Sequence, residues 1–187
     1  MRGRKISNTQ QQQEQFIGNC LYLGLKLLAE EYRQMVDRAN ENTVGYYEFI
    51  SNIVQAEAAA RQQRHIENLV KNSRLPYPLK LLADFDFDFQ PKLNRKLIID
   101  LASLGFIERN ESILLIGDNG TGKSHLARSL ALIACQGGYK IYYTTCSELI
   151  NDLNAGVYEK TLDKRMRKYT NPELLLIDEM GHDRLEL

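Results

Sequence analysis

The most informative segment of this chain reads Gly117-Asp118-Asn119-Gly120-Thr121-Gly122-Lys123-Ser124. It matches the pattern G-x-x-x-x-G-K-S, whose glycines let the backbone curl so that its amides point at phosphate oxygens. Apolar residues before it predict a strand over 112–116, and the residues after it predict a helix over 123–136. Because the positive end of a helix also attracts anions, pattern and context together predict a phosphate-binding loop rather than an ordinary glycine turn.

Two side chains of this loop carry expected roles. Lys123 is expected to neutralise charge at the β- and γ-phosphates, and the Ser124 hydroxyl is expected to bind magnesium. A dinucleotide fingerprint of the form G-x-G-x-x-G fits less well, because His125 stands where its third glycine would be. The candidate nucleotide-binding residues are Gly117, Asp118, Asn119, Gly120, Thr121, Gly122, Lys123, Ser124 and His125.

A second informative segment, Leu174-Leu175-Leu176-Ile177-Asp178-Glu179, is an apolar run that ends in two acids. Alone it is weak evidence, since apolar strands often end in acids at a surface. After a phosphate-binding loop, Asp178 is the expected magnesium ligand and Glu179 the acid that polarises an attacking water. This acid favours hydrolysis over phosphoryl transfer to a small molecule. The candidate catalytic residues are Glu179 and Lys123, the metal ligands are Ser124 and Asp178, and the cofactors are ATP and Mg²⁺.

Strands and helices alternate around these segments. Further strands are predicted over 140–144 and 174–178, Thr145 and Glu148 form a capping box for one helix, and another helix is predicted over 158–169. Such alternation is typical of a parallel sheet with helices on its faces. The predicted fold class is therefore α/β, a three-layer P-loop NTPase sheet.

The N-terminal part follows a different pattern. Polar residues 1–15 predict a flexible tail, apolar spacing predicts one helix from Phe16 to near Asn40, and a second helix is predicted from Thr43 to about Arg74. Pro76 and Pro78 end that helix. We therefore expect a helical domain over 16–76 and a nucleotide-binding domain over 77–187.

Phenylalanines and aspartates alternate over 84–89. The alternation predicts an extended strand with its rings on one side and its carboxylates on the other. We favour a strand that docks onto the next domain, and a ligand-stacking role is the weaker alternative.

Charge and composition limit the possible partners and location. The formal net charge is +0, so attraction to DNA has to come from local patches. Solvated helix faces explain such patches at least as well. Three unpaired cysteines, the lack of a signal peptide and the lack of a run of ~18 apolar residues favour a cytoplasmic protein without a membrane span. The candidate patches are Lys160, Lys164, Arg165, Arg167 and Lys168; Arg61, Arg64, Lys71 and Arg74; and the basic tail from Arg2 to Lys5.

The chain resembles the IstB-like ATPases, transposition helpers of the AAA+ class that are related to DnaC-type helicase loaders. The resemblance covers nearly everything from about Leu21 and is carried by four segments: AEAAARQQRHIENLVKNSRLPYPLKLLADFDFDFQPKLNRKLI, GDNGTGKSHLA, GGYKIYYTTCSELINDL and LLLIDEMG. It implies an N-terminal helical domain joined to an AAA+ core. It also implies ATP-dependent homo-oligomers on DNA and delivery of target DNA to a partner transposase.

Relative to that family, the sequence is expected to be truncated after the acidic strand. Family members continue with further strands, a sensor residue and an arginine finger, and their sheet order is 5-1-4-3-2. With only the first three strands, the slot between strands 1 and 3 would be empty, which predicts a poorly stable fragment with weak or no turnover. The alternatives are a helicase loader and a non-catalytic interaction module.

Overall fold

The structure, a computed structural model, describes residues 8–180. The chain forms two compact units, Met1–Arg64 and His65–Leu187. Their boundary falls inside a long helix, whereas the sequence analysis placed it after Pro76. Each unit is described by itself below.

The first unit is helical. It comprises α1 (Asn8–Tyr22), α2 (Lys26–Glu41) and the start of α3 (Tyr46–Asn72). The single helix expected from Phe16 to Asn40 is wrong, because the chain turns at Gly24, whose φ of 76° is accessible to glycine at little cost. The expected second helix is confirmed as α3.

The flexible tail expected over residues 1–15 is also wrong from Asn8 onward, since α1 begins there. Its glutamines are good helix formers, and tertiary contacts hold the helix. The Phe16 and Tyr32 rings lie 5.1 Å apart, and Arg33 donates to the Gln13 amide oxygen at 2.9 Å. Residues 1–7, with the basic tail, lie outside the described residues.

A buried carboxylate links α3 to the start of α2. Glu57 is 5% exposed, accepts the Leu28 amide at 3.0 Å and pairs with Arg64 at 2.9 Å. Burial opposes ionisation of this group, but these hydrogen bonds hold its pKa below the ordinary value. The first unit therefore contains a paired internal charge rather than an orphaned one.

The second unit contains a parallel pair of strands, β1 (Ile141–Thr145) and β2 (Leu174–Asp178), in the register Ile141↔Leu174 to Thr145↔Asp178. The helix α6 (Lys123–Gln136), as predicted, packs against both strands. Its buried side chains join Phe106, Ile141 and Tyr143 in the core. The remaining helices are α4 (Arg95–Leu101), α5 (Gly105–Glu108), α7 (Cys146–Tyr158) and α8 (Leu162–Thr170).

The strand predicted over 112–116 is wrong. Within residues 8–180 the sheet has two strands, and the segment forms no ladder with either of them. Leu114 and Ile116 are therefore left 70% and 84% exposed. The sequence analysis expected an empty slot between this segment and the strand over 174–178, and a segment without a hydrogen-bonded neighbour forms no ladder.

The strand predicted over 84–89 is wrong as well. A 3-10 turn spans Leu82–Asp84, and the chain then bends, because the Asp86 carboxylate accepts the amides of Asp88 and Phe89. Aspartate side chains favour such local turns over strands. The Phe85 and Phe87 rings meet edge to face at 5.0 Å, whereas Phe89 is exposed.

Candidate nucleotide-binding site

The predicted phosphate-binding residues form one tight loop that leads into α6. Gly120 and Gly122 have φ of 78° and 87°, in the left-handed region that favours glycine. The Thr121 hydroxyl donates to the Asp118 carbonyl at 2.8 Å. These turns close the loop immediately before the amino end of the helix, where unpaired backbone amides are available to an anion.

The loop is folded around Lys123. Its ammonium donates to the carbonyls of Gly117 at 2.7 Å and Asp118 at 2.6 Å. The lysine side chain thus folds back over the first residues of the loop. A bound phosphate could replace the two carbonyls as the hydrogen-bond acceptor of its ammonium group.

Two side chains 54 positions apart in sequence meet where the amino end of α6 lies against the carboxyl end of β2. The Ser124 hydroxyl donates to Asp178 Oδ1 at 2.8 Å. Asp178 is only 8% exposed and is held at the carboxyl end of β2 by the register with Thr145. The two side chains expected to bind magnesium are therefore in direct contact.

These oxygens fit a magnesium ion. Mg²⁺ prefers oxygen ligands and commonly uses one or two protein ligands together with waters and substrate phosphates. Among residues 8–180 no group of three or more His, Cys, Asp or Glu side chains could hold a metal by itself. A metal here would complete its coordination with waters or with phosphate oxygens, and the predicted phosphate loop lies beside these two side chains.

Asp178 is held in its charged form. Burial opposes its ionisation, but hydrogen bonds from Ser124, Arg128 and the Glu179 amide hold its pKa below the ordinary value. A carboxylate that stays charged at neutral pH is suited to attract a cation.

Glu179 follows Asp178 in a strained backbone conformation. Its φ is 60°, which is uncommon for a residue with a side chain. Its amide donates to Asp178 Oδ1 at 3.0 Å, and its side chain is exposed. The turn thus directs this acid away from the core, at the same edge of the sheet as Asp178.

His125 faces a different part of the chain. Its Nε2 lies 2.9 Å from the Leu81 carbonyl, and its ring lies 5.5 Å from that of Phe85. Phe85 also covers Gly122, where an added Cβ would lie 2.6 Å from Phe85 Cε2. The sequence analysis did not place Phe85 beside the phosphate loop, and only a ring-stacking alternative pointed in that direction.

Two further residues at the site were missed. Arg128 contacts Asp178 Oδ2 at 2.9 Å, and the Tyr143 hydroxyl lies 3.3 Å from the same oxygen. Arg128 lies one helical turn after Ser124, so the helical period could have placed both on one face once Asp178 was assigned.

The structure uses several of the candidate DNA-contacting cations internally. In the stripe on α8, Arg165 pairs with Asp152 and Glu159, and Lys168 pairs with Asp152 at 3.1 Å. Lys164 and Arg167 of α8 and the preceding Lys160 are exposed.

The candidates on and beyond α3 divide similarly. In the first unit Arg64 pairs with Glu57, and Arg61 is exposed. In the second unit Arg74 donates to the Tyr142 hydroxyl at 2.6 Å, and Lys71 is exposed. Each of these two patches therefore keeps only some of its cations for a partner.

Over residues 8–180 no helix combines the length and apolarity that a bilayer crossing needs.

Comparison with known proteins identifies the family. The profile of the family described as IstB-like ATP binding protein matches residues 19–187. A Geobacillus stearothermophilus protein, named as an ATP-binding protein of insertion sequence IS5376, is 39% identical over 89% of this chain. A Bacillus thuringiensis protein named for insertion sequence IS232 is 34% identical over 90% of this chain. A Pseudomonas aeruginosa protein named for insertion sequence IS21 is 33% identical over 86% of it.

The chain spans 66%, 67% and 60% of the lengths of those three relatives. The matched region includes the phosphate loop, Asp178 and the long helix α3. The profile match and these identities show that the chain belongs to the family of IstB-like ATP-binding proteins.

Proposed function

We propose that this protein binds ATP with Mg²⁺ and serves as a helper ATPase in DNA transposition. The observation that carries the proposal is the 2.8 Å hydrogen bond between Ser124 and Asp178, beside the loop that Lys123 spans. A phosphate loop and an acidic strand end that are distant in sequence meet where a metal-bound triphosphate would lie.

Each residue of the site has a role in this proposal. Amides from Gly117 to His125 bind the phosphates, and Lys123 exchanges its loop carbonyls for phosphate oxygens. Ser124 and Asp178 hold the magnesium, which would neutralise charge on the phosphates. Glu179 accepts a proton from the attacking water.

The context of transposition comes from the relatives. Three of them carry names that assign them to insertion sequences. This favours a transposition helper over a loader of the replicative helicase. Binding of DNA, assembly into homo-oligomers and contact with a transposase belong to the proposal, with Lys160, Lys164 and Arg167 as candidate phosphate contacts.

ATP binding and hydrolysis, each measured with and without duplex DNA, test this function. We expect Lys123→Ala to weaken nucleotide binding by at least about tenfold. Glu179→Gln should bind ATP normally but lower turnover by about 10²-fold or more. Lys140→Ala, which removes an exposed lysine outside the loop, is the matched control. Nucleotide binding that is indifferent to Lys123→Ala would contradict the assignment.

A second candidate function is an interaction module that hydrolyses nothing. The observation that favours it is that residues 112–116, which lead into the loop, lie outside the sheet. A loop held on one side only would position phosphates less firmly. DNA or partner binding that does not respond to nucleotide, together with absent turnover in the unaltered chain, would support this alternative.

A further inference from the structure

Arg128 is a cation that the helper function leaves without a role. It lies four residues after Ser124 in α6, so both side chains project from one face of the helix. Its Nη2 and Nε lie 2.9 Å and 3.2 Å from Asp178 Oδ2. The guanidinium side chain is 24% exposed, and the carboxylate is 9% exposed. This is a partly buried ion pair at the expected metal site.

The two oxygens of Asp178 have different partners. Oδ1 accepts the Ser124 hydroxyl and the Glu179 amide, so it lies on the side of the phosphate loop. Oδ2 accepts both nitrogens of Arg128 and lies 3.3 Å from the Tyr143 hydroxyl. Arg128 also donates to that hydroxyl at 3.0 Å. The carboxylate is thus fully hydrogen-bonded by groups of this chain.

This arrangement places two positive charges near the expected metal position. Arg128 contacts the carboxylate, and Lys123 lies on the loop carbonyls next to Ser124. A divalent cation that approached Ser124 and Asp178 would meet a carboxylate already neutralised by a guanidinium. The repulsion is stronger in this partly buried site than at an exposed surface, because the effective dielectric constant is lower than that of water. The polyphosphate of a nucleotide would reverse the sign of the local field.

We propose that Arg128 makes magnesium binding depend on bound nucleotide, because it acts as the counter-ion of Asp178 until a triphosphate supplies negative charge. The inference rests on the proposed function and adds an order of binding to it. Arg128 is a positioning residue that acts through Asp178. Without nucleotide it suppresses the affinity of the site for a free dication.

Titration of Mn²⁺ by electron paramagnetic resonance, without nucleotide, tests this order directly. Arg128→Gln keeps a hydrogen-bond donor but removes the charge, so the dissociation constant for Mn²⁺ should fall about tenfold. Arg128→Lys keeps the charge but loses the planar fork, so a smaller tightening of about two- to threefold is expected. Arg38→Gln, which removes an exposed arginine of α2 outside the candidate site and the candidate DNA patches, should match the unaltered chain.

The same variants in EDTA give an independent readout. Loss of the positive charge should weaken binding of metal-free ATP by about three- to tenfold for Arg128→Gln. If circular dichroism shows that Arg128→Gln does not fold, the test uses Arg128→Lys instead. The proposal then expects this variant to bind Mn²⁺ more tightly and metal-free ATP more weakly than the unaltered chain. Mn²⁺ binding as weak as in the unaltered chain, or weaker, in the folded variants would overturn the proposal. Failure of Lys123→Ala to impair ATP binding would instead overturn the nucleotide assignment, because the Mn²⁺ titration contains no nucleotide.

Discussion

Gly122 shows how one residue couples the phosphate loop to the segment before it. A side chain there would adopt φ 87° and would place a Cβ 2.6 Å from Phe85 Cε2. We expect Gly122→Ala to lower the free energy of unfolding by about 2–3 kcal/mol, through backbone strain and displacement of the ring. Chemical denaturation monitored by circular dichroism measures this loss.

Gly120 supplies the matched control. It has φ 78° but no atom within 4 Å of an added Cβ, so Gly120→Ala should cost only the backbone term, about 1 kcal/mol. In a Phe85→Ala background the additional cost of Gly122→Ala should decrease towards that value. Equal costs for the two glycine substitutions in the unaltered chain would show that the Phe85 contact contributes nothing.

Glu179 combines a strained backbone with an expected catalytic side chain. Because glycine adopts φ near 60° without penalty, Glu179→Gly should raise the free energy of unfolding by about 1 kcal/mol. Glu179→Gln keeps the strain and should change it by less than about 0.5 kcal/mol. Both should lose turnover if the carboxylate activates water. A glycine variant less stable than the glutamine variant would contradict the strain argument.

Among the elements, the segment 112–116 should differ from the two strands in hydrogen exchange. Alternate amides of β1 and β2 are paired in a parallel ladder, whereas 112–116 forms no ladder with described residues. Its amides should therefore exchange by local opening, at least about 10²-fold faster than those of the ladder. Exchange measured by mass spectrometry checks this, and equal protection of the three segments would rule it out.

The contact of α7 with α8 should give an acid-dependent term in stability. Asp152 accepts the Tyr169 hydroxyl at 2.6 Å and pairs with Lys168 and Arg165. The Tyr169 hydrogen bond first, and then the two cations, lower its pKa to about 2. A depressed folded-state pKa stabilises the fold above the unfolded value near 3.8, and this stabilisation is lost as the pH falls towards 2.

We therefore expect Asp152→Asn to cost about 1–2 kcal/mol at neutral pH. The difference from the unaltered chain should shrink between about pH 4 and pH 2. Denaturation curves at several pH values measure both effects. Asp88→Asn, at an exposed loop carboxylate, is the control. A difference that persists at pH 2 would show that the loss has another origin.

The elements that sequence reasoning predicted are those whose signals are local. The bounds of α6 follow from Gly122 and the apolar period after it. Half of the predicted capping box is confirmed, because Thr145 accepts the Glu148 amide at 3.2 Å, whereas the Glu148 carboxylate accepts the Thr144 hydroxyl instead. The turn at Gly24 and the bend at Asp86 were missed, since apolar spacing outweighed one glycine and one aspartate. The segment 112–116 failed for a non-local reason, because a strand exists only with a neighbour.

The site follows the same division. Ser124 and Asp178 were both assigned from motifs, and their contact depends on a parallel pairing that the pattern of strands and helices predicted. Phe85 and Arg128 were not assigned, because their roles depend on which side chain stands opposite across the fold. Motif reasoning therefore led to the residues proposed for phosphate and metal but not to those around them.

At the scale of the whole molecule, zero formal charge makes DNA affinity a matter of local cations. Each neutralised phosphate of duplex DNA adds about −0.9 to the slope of log K against log salt. If Lys160, Lys164 and Arg167 each contact one phosphate, their combined replacement by Gln should reduce the magnitude of the slope by about 2.7. Fluorescence anisotropy with labelled duplex at several salt concentrations measures it.

Lys168 and Arg165 serve as the contrast on the same helix. Both pair with Asp152, and Arg165 also pairs with Glu159, so two carboxylates compensate their two charges within the fold. Replacing Lys168 by Gln should lower stability but should change the salt slope by less than about 0.5, because a cation held by a carboxylate neutralises DNA phosphate less and so displaces fewer counterions from the DNA. An equal fall in the slope for the paired and the unpaired cations would mean that the cations of α8 attract DNA by their combined charge, without individual phosphate contacts. An unchanged slope in the triple variant would place the DNA surface elsewhere on the molecule.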